Sequence, residues 1–173
     1  HTLAVVSHVY VGSPYGLARG FDVFDESLLE GGLANPRADA VVDRFLSLLD
    51  SHLDAHLDAR LEAAGDDAAG DRTSGAGEAA PFFGFVHLFD PHWDYAAPEP
   101  YTRRFVAPGY AGPMDGSYDA MAPWVLSDRR LPEPDRDALV GYYDGEIAWL
   151  DTELARLLAA LDARGVLDET LVV

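Results

Sequence analysis

Short apolar runs set apart by segments of helical length constrain this chain more than any other feature. Leu3–Val6 within HTLAVVSHVYV, the run PFFGFVHLF at 81–89 and the closing DETLVV are the length of strands and nearly continuous in apolar residues, the pattern of strands covered on both faces. Between the first two lies NPRADAVVDRFLSLLDSHLDAHLDARLEAAG, in which Val42, Phe45, Leu46, Leu49, Leu53, Leu57 and Leu61 recur at three- and four-residue spacing with Asp and Arg opposite. Asn35 before Pro36 suits the start of that helix. A second helical period runs roughly from Asp135 to Arg164 on the stripe Val140, Tyr143, Ile147, Leu150, Leu154, Leu157 and Leu161, and Gly165 suits its end. Strand, helix, strand, helix, strand with helix-length crossovers predicts an α/β fold with a parallel sheet and right-handed connections.

The remaining segments read as loops. GSPYGLARGFDVFD is punctuated by Gly and Pro. Residues 64–80 are small, acidic and glycine-rich, unsuited to a core, and predict a flexible surface loop. The stretch 95–136 holds seven of the eleven prolines with scattered aromatics, an irregular excursion long enough to suggest a functional role. Chain length and 49% hydrophobic residues suit a single domain, here residues 1–173. Twelve basic residues, all arginine, stand against 30 acidic ones for a net charge of −18, which argues against a nucleic-acid partner. With no cysteine there is no disulfide framework. No run approaches the roughly 18 apolar residues of a membrane span, and no signal peptide is visible, so the compartment stays open. Beginning at His1 and ending in an apolar run, the chain reads as the middle of a longer protein.

In open parallel sheets, ligands bind beyond the carboxyl ends of the strands. The first strand delivers Ser7 and His8 there, and the second, through FVHLFDPHWDY, delivers His87, Asp90, His92 and Asp94. Histidines at such a rim suit hydrogen bonding to an anionic oxygen, proton donation to a leaving group, or metal-assisted hydrolysis. Pro91 favours an extended Asp90 and so directs His92 out of the loop, while Asp90 could orient a histidine or take a metal. His87 reads either as a core histidine satisfied by a backbone carbonyl or as part of the site. His52 and His56 have ligand spacing but lack the Glu after the first His that a zinc-protease helix carries, and a solvated acidic face explains them better. Tyr142, Tyr143, Asp144 and Glu146 read as acids of early helix turns and core aromatics. GGLANP at 31–36 lacks the Lys-Ser/Thr of a phosphate-cradling loop.

Four pieces in order, HTLAVVS, GLARGFDVFD, PFFGFVHLFDPHWDY and YYDGEIAWLDTELARLLAALDARGVLDETLVV, resemble the sulfatases of the alkaline phosphatase superfamily. The resemblance implies an alkaline-phosphatase-like α/β sandwich, incomplete in this chain, and a hydrolase of small-molecule or glycan sulfate esters. It implies a divalent cation, usually calcium, and a formylglycine nucleophile, both supplied from outside these residues, so that the fragment alone is expected to be inactive. His92, in Asp90-Pro91-His92, matches the family's sulfate-contacting histidine, with His87 and Asp90 as its support. Where many members carry Gly-Lys-Trp-His, this chain reads Val6-Ser7-His8-Val9, which leaves His8, displaced by one residue, as a further contact. A phosphodiesterase or phosphoglycerol transferase of the same superfamily stays open as an alternative, as does a non-catalytic domain binding an anionic glycan or a partner. Trp93, Tyr95, Tyr101 and Trp124 are candidate stacking surfaces for a leaving group. Oligomeric state is not legible.

Overall fold

The computed structural model describes residues 1–29, 36–66, 81–127 and 129–173. These gather into two compact units, His1–Leu88 with Leu157–Val173, and Phe89–Arg156. The first unit is built on a three-stranded sheet of β1 (Thr2–Val5), β2 (Val23–Asp25) and β3 (Phe83–Val86), in the order β2-β1-β3. Both pairings are parallel, with Leu3 opposite Val23 and Gly84. As the central strand, β1 is covered throughout: Leu3, Ala4 and Val5 are buried, as are Val6 and Ser7 beyond it. The fold is therefore α/β with a parallel sheet, as the apolar runs predict.

One face of this sheet packs on α1 (Ala38–Asp66), where Val41, Phe45 and Leu49 join Leu3, Val5, Leu161 and Val166 in a single core. Gly84 leaves room there for Phe45, since a Cβ on it would stand 2.7 Å from Cζ of Phe45. Arg164 closes the end of this unit by a two-pronged bond to Asp50, Nε to Oδ1 at 2.6 Å and Nη2 to Oδ2 at 2.7 Å.

In the second unit, α2 (Tyr118–Val125) and most of α3 (Glu133–Ala163) pack with the irregular chain between them. Met114, Met121 and Ala138 form the core, with Tyr95, Tyr110 and Trp124 against it. The buried side of α3 here is lined by Ala138, Gly141, Tyr142, Gly145, Glu146 and Glu153. Its two glycines admit the backbone of 101–106: a Cβ on Gly145 would meet the Tyr101 carbonyl oxygen at 2.5 Å, and one on Gly141 the Phe105 oxygen at 2.7 Å. The helix ends at left-handed Gly165 (φ +66), whose N–H reaches the Asp162 carbonyl while that of Val166 reaches Leu161.

Several expectations are corrected. The third strand is Val23–Asp25, inside the predicted loop, and not 170–173, where Leu171, Val172 and Val173 are exposed and no ladder forms. A strand of three residues between Asp22 and Glu26 carries too little pattern to be seen in sequence. The first helix runs on through 64–66, into the predicted flexible loop, and its stripe leaves the core after Leu53, with Leu57 and Leu61 exposed. On α3 the predicted stripe is mostly outward: Val140, Tyr143, Ile147 and Leu154 are exposed, and only Leu157 and Leu161 reach a core. Since α3 starts at Glu133, Tyr142 and Glu146 lie mid-helix and buried, while the first-turn acids are Glu133 and Asp135. His52 stacks on His1 (ring centroids 4.5 Å apart) with its Nε2 buried, so it is not on a solvated face. Asn35, the glycines at 31–32 and residues 67–80 fall outside the described residues.

Candidate active site

The strand-end histidines of the first unit are held by the ladder. The His87 N–H donates to the Val5 carbonyl (2.9 Å), carrying the β1–β3 register one step past β3. That brings Ser7, fully buried, onto the His87 ring. The Ser7 hydroxyl donates to the His87 carbonyl at 2.6 Å, its Oγ lies 3.1 Å from Nδ1, and the Ser7 N–H points to the same Nδ1 at 3.4 Å. Oγ, its proton directed elsewhere, meets Nδ1 as an acceptor, while the amide meets it as a donor, so Ser7 couples to the tautomer of the ring. Burial, and then the charge of nearby His8, hold the His87 imidazole below its ordinary value. His8 itself accepts the Tyr10 N–H at Nδ1 (3.2 Å), which assigns the proton of its neutral ring to Nε2. The ring of His87 is therefore engaged by a serine, a partner the sequence reading did not foresee.

At the end of β2, buried Asp25 accepts from Arg44 Nε (2.8 Å) and Nη2 (2.5 Å) on one oxygen and from Ser27 on the other. Burial pushes this carboxyl up, but Arg44 and Ser27 outweigh it and hold it below the usual carboxylate range.

His92 belongs to the second unit. Phe89, Asp90, Pro91 and His92 form a turn closed by the His92 N–H on the Phe89 carbonyl (3.0 Å), with a cis Asp90–Pro91 bond inside it and Asp90 half-buried. The turn exposes His92 and fixes its ring. Nδ1 donates to the Trp93 carbonyl at 2.8 Å, Phe89 lies 4.3 Å away at 30°, and Trp93 meets the ring edge-on at 4.7 Å. A carbonyl oxygen only accepts, so the Nδ1 proton is fixed and Nε2 is left for a ligand: a lone pair in the neutral ring, a donor in the imidazolium. Asp94 is engaged by backbone. Its carboxylate accepts the Tyr118 N–H at the start of α2, where Ser117 is the N-cap, and the Tyr95 N–H holds the Gly116 carbonyl at 2.9 Å. Nothing in sequence spacing links Asp94 to Tyr118; only Ser117 three residues before Ala120 hints at a helix start.

Among the described residues, no three His, Asp or Glu side chains come together as a metal site. The described residues thus offer no ready ligand set for a divalent cation, and the chain holds no cysteine.

A parallel α/β sheet with histidines just past the carboxyl ends of its strands defines the class, that of α/β folds whose ligands bind beyond the carboxyl ends of the strands. The family follows from comparison: the family model Sulfatase matches residues 12–173, and the chain belongs to that family of hydrolases, which generally use a divalent cation and formylglycine. No curated protein and no solved structure matches it.

Proposed function

We propose that this chain is the central part of a catalytic domain that hydrolyses sulfate monoesters, and that His92 contacts the sulfate or the leaving oxygen. The observation that carries this reading is the clamped ring of His92, exposed at a turn, with Nδ1 committed to the Trp93 carbonyl. As an imidazolium, His92 donates from Nε2 to an anionic oxygen and stabilises the charge that develops as the S–O bond breaks. Asp90, in the same turn as His92, supports substrate binding. In this reading the nucleophile is formylglycine and the cation calcium, both held by other residues of the full-length protein.

The same architecture could serve phosphoryl transfer, and the absence of lysine, a common sulfate contact in the family, keeps that alternative in view. The full-length protein, assayed with 4-nitrophenyl sulfate, 4-nitrophenyl phosphate and bis(4-nitrophenyl) phosphate, distinguishes them. The sulfate ester should be the fastest substrate by at least about tenfold in kcat/KM. A phosphate mono- or diester turning over faster would replace the proposal with the phosphoryl reading, and no turnover of any would favour a binding domain.

A further inference from the structure

We infer that Trp93 and Tyr118 form a binding platform for the leaving group of the ester, an uncharged six-membered ring joined to the ester oxygen. The inference rests on the proposed role of His92. Of the four aromatic residues singled out in the sequence, three are occupied. Tyr95 is half-buried, edge-on to Tyr143 and against the core of its unit. Tyr101 leans on Trp149 with its hydroxyl 3.0 Å from Thr152 Oγ1. Trp124 packs on the same core and carries the Arg129 guanidinium 4.8 Å above its ring. Trp93 differs: it is 39% exposed, and its ring lies 5.4 Å from that of Tyr118, itself 38% exposed.

Tyr118 was not foreseen, and its position is set by backbone. The Asp94 carboxylate holds the Tyr118 N–H, and Tyr95 holds Gly116, so the two backbone segments that carry the rings are tied together before any ligand arrives. Trp93 also meets the His92 ring, with centroids 4.7 Å apart and planes at 62°. An ester oxygen at His92 therefore places its leaving group beside Trp93, which packs in turn against Tyr118, and both rings are partly exposed. Such faces favour the flat apolar side of an aryl group or a pyranose. Asp94, Asp115 and Asp119 adjoin the platform in the sequence, on a chain of net charge −18, which disfavours a polysulfated leaving group.

The test uses the full-length protein with Trp93→Leu, Tyr118→Leu and Trp93→Phe, assayed on 4-nitrophenyl sulfate, N-acetylglucosamine 3-sulfate and ethyl sulfate. In each Leu variant the kcat/KM ratio of ring over ethyl ester should fall about tenfold, while Trp93→Phe keeps most of it. Loss confined to the aryl or to the sugar ester identifies which ring the platform takes. An unchanged ratio for both overturns the inference. Should the protein turn over no sulfate ester, the reading of His92 fails by itself. Saturation-transfer NMR with 4-nitrophenol and methyl glucoside then decides the platform: binding lost in Trp93→Leu supports it, and binding independent of Trp93 rejects it.

Discussion

At the scale of single residues, Ser7 and His87 form a short polar contact in the first unit, and both ends are testable. Ser7→Ala removes the 2.6 Å bond to the His87 carbonyl and leaves a buried acceptor, a loss of about 1–2 kcal/mol in urea unfolding. A change below about 0.3 kcal/mol would show that the contact contributes little. His87 also makes stability depend on pH. Its folded value is lowered from 6.5, so on acidification the unfolded chain takes up the proton first and stability falls just below that value. His87→Asn should flatten this slope of the urea midpoint between pH 7 and 5; a slope identical to wild type would assign it to other groups. The histidines themselves were legible in sequence, because polar residues directly after an apolar run stand out. Their partners were not. Ser7 reaches His87 through strand pairing across 80 positions, and Asp94 reaches Tyr118 across 24, contacts that no local pattern encodes.

At the scale of elements, β1, β3 and both long helices followed from apolar period, which reports that a helix has two faces. It did not report which face of α3 is covered. There the small residues Gly141 and Gly145 decide, because they let the chain at 101–106 approach the helix backbone more closely than leucines could. Gly145→Ala tests this. Alanine favours a helix by about 1 kcal/mol over glycine, yet its Cβ would meet a backbone carbonyl, and overpacking costs about 1–3 kcal/mol. The variant should melt lower than wild type, as should Gly141→Ala. Ile147→Ala, on the exposed stripe, should change stability by less than about 1 kcal/mol. Gly145→Ala melting higher would mean that the 101–106 segment does not hold α3.

At the scale of the whole molecule, charge and chemistry dominate. With 30 acidic residues against 12 basic ones, the folded chain repels itself, and screening should raise its melting temperature between about 0.05 and 0.5 M salt at pH 7. A lower melting temperature at high salt would show that pairs such as Asp25–Arg44 and Asp50–Arg164 outweigh the repulsion. The fold class and the family were both readable from four ordered sequence pieces, whereas substrate and metal were not, since the groups that decide them do not gather among the described residues. The central proposal is that His92 contacts the sulfate, and one measurement tests it most directly: kcat/KM of the full-length protein for an aryl sulfate, wild type against His92→Ala. Loss of a charge-stabilising donor predicts a fall of about 10²- to 10³-fold, expressed in kcat, with the fold intact by circular dichroism. Turnover within twofold of wild type would contradict the assignment of His92 to the sulfate.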